Sequence, residues 1–215
     1  MDVDDLLKIG TDPAAWLEKS ASLRRAADAL WGAFWGAVLR WAPLFKAHDE
    51  AGDGIWHEAM DCLIAAKMLY GLAVEAAFKS AILRDAPTDV EFRMRAYGTG
   101  RIQQVELKKL GLSMGAGHDL VNLAELAGLF RRGDSEVFST DSDYTAIRAI
   151  LEDLGEVVIW RGRYPVPRRS GQSPASSPAV PAVASGHYLR DWLDKVLDFY
   201  HGDRASRPSV PLASE

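Results

Sequence analysis

From position 12 onward, apolar residues recur at three- and four-residue steps. Trp16, Leu23, Ala27, Leu30, Phe34, Val38 and Trp41 make one stripe, with a single seven-residue step, and that is the period of an amphipathic helix. Thr11-Asp12-Pro13 supplies the start signal: Asp12 can cap free backbone N–H groups, and proline suits the first helical position. Gly32 and Gly36 weaken the helix slightly but let another helix approach, and Pro43 should end or kink it. His48 to Gly54 is polar and contains glycine, so a loop is expected there. A second helix is expected from about Ile55 to Arg84, striped by Trp56, Met60, Leu63, Lys67, Tyr70, Val74, Phe78 and Ile82. Lys67 within that stripe reads as a stem that snorkels at its edge. Ala86-Pro87-Thr88 stops the helix.

Residues 88–117 are less regular. Arg101 to Leu110 reads as helical with Gly111 as its C-cap, and Tyr97-Gly98-Thr99-Gly100 reads as a turn. A third helix is expected from His118-Asp119 through Leu120, Leu123, Leu126, Ala127 and Phe130, closed by Gly133-Asp134. Ser139-Thr140-Asp141 opens another, carrying Ile147, Ile150, Leu151, Leu154, Val157 and Val158 and ending near Trp160 to Arg163. No alternating strand pattern of useful length and no internal repeat stands out. The expected fold class is therefore all-α: a four- to five-helix bundle with long antiparallel helices and a short C-terminal helix. Residues 1–165 would form the bundle. Residues 166–185, rich in Pro, Ser and Ala, would be a linker or long loop. Residues 186–201 would form the C-terminal helix, docked on the bundle or on a partner, and residues 202–215 a disordered tail.

Composition narrows the classes. With 48% hydrophobic and 26% charged residues, 215 residues can build one sizeable core. A net charge of -5 excludes a protein that is basic all over, so nucleic acid would have to meet a local patch. Cys62 is the only cysteine; it can form neither an internal disulfide nor a thiolate zinc site, and a reducing cytoplasm fits it. The acidic start Met1 to Asp5 is a poor secretory signal, and no apolar run approaches the roughly 20 residues that span a bilayer. There is no P-loop, dinucleotide fingerprint, zinc ligand set or serine elbow, and Asp141, Asp143, Glu152 and Asp153 make no convincing metal constellation. No cofactor or metal is expected.

Three segments carry a resemblance. The first is Leu69 to Leu83, with Glu75-x-x-x-Lys79 on an apolar background; the second is Gly117-His118-Asp119-Leu120; the third is Arg163-Tyr164-Pro165. In this order they resemble the HEPN superfamily over about residues 12–165. The resemblance implies a helical bundle, often dimeric, that acts on or binds RNA or nucleotides, with many members being metal-independent ribonucleases of toxin–antitoxin or antiphage systems. Active members carry Arg-x(4–6)-His late in the fold. None of the five histidines here, His48, His57, His118, His187 and His201, has an arginine at that upstream spacing. The expected ligand-binding residues are Glu75, Lys79, His118, Asp119, Arg161, Arg163 and Tyr164.

Each of these also has a plain structural role open to it. Glu75 and Lys79 have the favoured i, i+4 order of a helix pair. His118 and Asp119 sit where a cap is needed. Arg161, Arg163, Arg168 and Arg169 can complement a helix C-terminus. Trp31, Trp35 and Trp41 are simplest as core or helix-interface residues. Three functions stay open. One is an RNA- or nucleotide-binding protein. Another is a ribonuclease in which His118 is the acid–base group and Arg163 steadies the charged phosphorane. The last is a non-catalytic module for a partner protein of the same operon.

Overall fold

The computed structural model describes residues 8–47, 50–85, 90–97, 101–110, 118–131, 137–158 and 181–202. Among the described residues, five longer helices and one β-hairpin follow in the order α1 Pro13–Lys46, α2 Ala51–Asp85, β1 Val90–Tyr97, β2 Arg101–Leu110, α3 Leu120–Leu126, α4 Asp141–Glu156 and α5 Pro181–His201. Residues 8–11 are also helical.

The start of α1 is as its sequence prescribes: the Asp12 side chain accepts from Ala14 N, and Pro13 is the first helical residue. Pro43 does not end the helix, which runs on to Lys46. The proline sits in the last turn, where its missing N–H removes a single helical bond and its fixed φ is still helical. The expected 48–54 loop shrinks, because α2 already begins at Ala51. Gly52 lets that first turn press against α1: a Cβ there would lie 3.3 Å from Leu44 Cβ and 3.5 Å from Trp41.

Ser20 pairs with Ala73, Asp28 with Tyr70, and Arg40 with Glu58. Rising numbers on α1 thus meet falling numbers on α2, and the two long helices are antiparallel. Helix α5 pairs Arg190 with Asp28, Asp194 with Arg24, and His201 with Ser20, so it runs against α1 and along α2. Helix α4 also runs along α2: Asp153 holds Lys67 at 2.6 Å, and Leu154 and Val158 meet Gly71. One core joins all of these helices, with Phe34, Tyr70, Phe78, Leu123, Ile147, Leu154, Leu193 and Tyr200 fully buried. The Tyr200 hydroxyl donates to the Ala127 carbonyl from within that core.

The bundle is not free of strands. Arg101 to Leu110, expected as helix, is β2 of an antiparallel hairpin. A strand pattern is present in β1, where Val90, Phe92, Met94 and Ala96 alternate with Glu91, Arg93 and Arg95. In β2 the apolar residues fall at 102, 105, 107 and 110, and the three-residue steps imitate a helix. The register explains them: it pairs Val90 with Leu110, Phe92 with Leu107, Met94 with Val105 and Ala96 with Ile102, skipping a residue at each of two irregularities. A bulge inserts one extra residue and so turns a step of two into a step of three.

Helix α3 is shorter than expected. It ends in a Schellman motif: Gly128 has φ 75, its N–H donates to Glu125 O at 3.0 Å, and Leu129 N–H donates to Ala124 O at 2.8 Å. Helix α4 opens on a capping box of Thr140 and Asp143. Helix α5 begins at Pro181, inside the stretch expected as linker. The expected C-cap at Gly111, the stop at Gly133-Asp134, the rest of the linker and the tail lie outside the described residues.

Gly71 sets how close α4 comes to α2. A Cβ at that position would lie 2.4 Å from Val158 Cγ2, nearer than real Cβ atoms come. Gly71→Ala is expected to lower the unfolding free energy by about 1–3 kcal/mol in urea titrations, and Val158→Ala in the same background should restore part of the loss.

Candidate functional site

Helix α2 is apolar almost all round in its second half, since every residue from Ala73 to Leu83 is buried. Two of those residues are charged. Glu75 is 6% exposed and Lys79 is 9% exposed. Four-residue spacing stacks them on one helix face, and Lys79 Nζ donates to Glu75 Oε1 at 2.5 Å. Ionic groups so placed lose several kcal/mol of solvation each, which close pairing and hydrogen bonding must offset. The second carboxylate oxygen, Oε2, lies 2.9 Å from His118 Nδ1. A carboxylate only accepts, so the hydrogen-bond network assigns the proton to Nδ1. The imidazole itself is 51% exposed. Glu75 therefore holds the ring from behind and leaves Nε2 as the outer, proton-accepting nitrogen, the arrangement in which a carboxylate fixes a histidine's tautomer and orientation.

The far side of the pair is closed by an aromatic ring. Lys79 Nζ lies over Trp16 at 5.4 Å from the ring centroid, a cation–π distance. The Trp16 indole N–H donates to Gly10 O at 3.1 Å. Ser80, one residue on from Lys79, donates to Pro13 O at 2.7 Å and ties the same turn of α2 to the start of α1. The order of contacts is thus Trp16, Lys79, Glu75, His118, contributed by α1, α2 and the residue two before α3.

The expected residues fare differently. Glu75, Lys79 and His118 come together. Asp119 instead serves as the N-cap of α3, where its carboxylate accepts from Asn122 N at 3.0 Å. Arg161, Arg163 and Tyr164 lie outside the described residues. Val158 packs at Gly71, one helical turn before Glu75, and α4 runs toward increasing α2 numbers. In the sequence Trp16 is one member of a hydrophobic stripe. Its signal as a site residue is its place just after a helix start, opposite the end of α2 in an antiparallel pair.

A second polar cluster joins α1, α2 and α5. Arg24 donates to Asp194 at 2.7 Å and to Asp198 at 2.5 Å, and Tyr70 donates to Asp28 at 2.6 Å. Burial first, and then Asp28, push the Tyr70 phenol well above its ordinary range. Burial and the Arg24 charge push His201 below the ordinary histidine value, against the pull of Asp198. Ser20 and His201 lie 2.9 Å apart, but they do not form a nucleophile and its base. Ser20 is fully buried, and its one hydroxyl proton goes to Ala73 O at 2.7 Å, so it accepts from His201 Nε2. This cluster seats α5.

Among the described residues, no group of three or more His, Cys, Asp or Glu could hold a metal ion, and no helix is long and apolar enough to cross a membrane. Comparison with family profiles, curated proteins and solved structures returned no match to this chain.

If the Glu75–Lys79 pair is a buried ion pair in a cooperative core, breaking it is costly and removing it whole is not. Lys79→Met alone should destabilise by about 3–5 kcal/mol, and Glu75→Leu with Lys79→Met should recover most of that loss, as read by urea unfolding of the single and double variants.

Proposed function

We propose that the chain is a HEPN-like protein that binds RNA or a nucleotide by its phosphate at the exposed edge of His118. The observation that carries this reading is the buried carboxylate of Glu75 bonded to His118 Nδ1. A half-exposed imidazole fixed from behind by a buried acid, itself paired with Lys79, turns Nε2 outward, where it accepts a proton in the neutral ring and donates to a phosphate oxygen once the ring is protonated.

Glu75 and Lys79 satisfy one another, so they position His118 rather than meet the phosphate. The cations for the phosphate are Arg161 and Arg163, with Tyr164 beside them for stacking. Reach supports this assignment. Gly71 to Glu75 is about 6 Å along a helix, and the five residues from Val158 to Arg163 can span up to about 17 Å.

A second reading, metal-independent RNA cleavage, is favoured by one specific feature. With its proton on Nδ1, His118 presents Nε2 as a base toward solvent, as an acid–base group must. In that reading Arg163 stabilises the phosphorane. A homodimer or an operon-encoded partner would complete the assembly in either case.

Anisotropy with a labelled single-stranded RNA decides between these readings. With Arg161 and Arg163 on phosphates, affinity should fall about tenfold between about 50 and 300 mM salt, and His118→Ala should weaken it further. An affinity that is flat with salt contradicts the proposal. Cleavage of the same RNA in EDTA, abolished in His118→Ala, would select the catalytic reading.

A further inference from the structure

The first turns of α1 line an open and mostly apolar groove. Ile9, Ala15 and Trp16 supply its apolar wall, and Glu18 and Lys19 are its charged members. Its volume is about 650 Å³, within the roughly 300–1,000 Å³ of binding pockets. Ile9 is 51% exposed and Trp16 is only partly buried, so apolar surface here is left to water. The Trp16 indole N–H is engaged by Gly10 O, which fixes the ring in the groove wall.

We infer that this groove is the docking site of the chain's own C-terminal segment: Pro208 to Leu212 lies in it as a polyproline II strand, with its prolines against the Trp16 ring. The inference stands apart from the phosphate reading. Its first support is where α5 ends. His201 bonds to Ser20, one helical turn after Trp16 on α1. Helix α5 runs against α1, so the chain leaves α5 heading for the start of α1. Thirteen residues follow Gly202, the last one described. They carry Pro208-Ser209-Val210-Pro211, with Leu212 next. A Pro-x-x-Pro segment favours the polyproline II helix, whose three-residue turn sets both prolines on one edge, and aromatic-lined grooves take up such segments at low entropic cost.

Reach and charge agree with this occupant. Ser20 to Trp16 is about 6 Å along the helix, and half a turn around its surface adds about 16–19 Å. The nine residues from Gly202 to Pro211 span up to about 30 Å. Arg204 and Arg207 precede the prolines and Glu215 follows them, which complements an acid, Glu18, beside a cation, Lys19. The chain's other Pro-x-x-Pro, Pro178 to Pro181, runs into the start of α5, about 30 Å from His201 along that helix.

Paramagnetic broadening in the full chain tests the inference. Cys62→Ser removes the native thiol, Ser214→Cys carries a nitroxide, and the Trp16 indole N–H signal, assigned by Trp16→Phe, is the readout. That signal is expected to be lost beside the oxidised label and present beside the reduced one, equally at all protein concentrations. Pro208→Gly with Pro211→Gly should restore it while the amide spectrum of the bundle stays unchanged. A Trp16 signal that survives the oxidised label would overturn the inference. So would a loss that the double proline variant leaves unchanged, since tethering alone explains it. Loss in an untagged, 15N-labelled chain mixed with tagged, unlabelled chain would overturn docking within one chain and make a second copy the occupant.

Discussion

The carboxylate of Glu75 is the constraint on which the site depends. It is buried in the most apolar stretch of the longest helix, with one oxygen on Lys79 and the other on His118. A buried ion pair is weak evidence of a contribution to stability, because well-packed apolar residues often serve as well. Its presence is better understood through what it does to its third member. His118 lies two residues before α3 and would be free to turn without a fixed acceptor behind it. The bond to Glu75 fixes the ring's orientation, and Asp119, by capping α3, fixes the backbone beside it.

The rest of the fold brings the surrounding parts to this point. Antiparallel pairing of α1 with α2 sets Trp16 opposite Lys79. Helix α4 lies parallel to α2 and is drawn close by the absence of a side chain at Gly71, so its C-terminal end is directed toward the Glu75 turn. Helix α5 closes another flank through Arg24, Ser20 and the buried ring of Tyr200. The two flanks differ in chemistry. The α5 side is a set of satisfied ion pairs and a serine whose proton is committed to a carbonyl. The His118 side leaves a ring nitrogen facing outward.

Much of this is legible in the chain itself. Three- and four-residue apolar steps locate α1, α2 and α4, and Thr11-Asp12-Pro13 and Ser139-Thr140-Asp141 mark two helix starts. The Glu75-x-x-x-Lys79 and His118-Asp119 segments are recognisable, but their contact is not, because 43 residues separate Glu75 from His118 and only the tertiary fold closes that distance. The hairpin escapes the sequence for a physical reason: two register irregularities convert the period of β2 into helix-like steps. Trp16 is hidden in plain periodicity, since a stripe position says that a ring is shielded but not which cation shields it. Gly128 offers no periodic signal at all, and only its positive φ reveals why α3 stops so early.

The tautomer of His118 is the most direct measure of the central interaction. A long-range 1H–15N correlation spectrum of the imidazole rings, with His118 assigned by a His118→Gln variant, reads which nitrogen carries the proton in the neutral ring. Nδ1–H is expected for His118, replaced by a mixture of both forms in Glu75→Gln. An Nε2–H ring in the native protein, unchanged by Glu75→Gln, would contradict it.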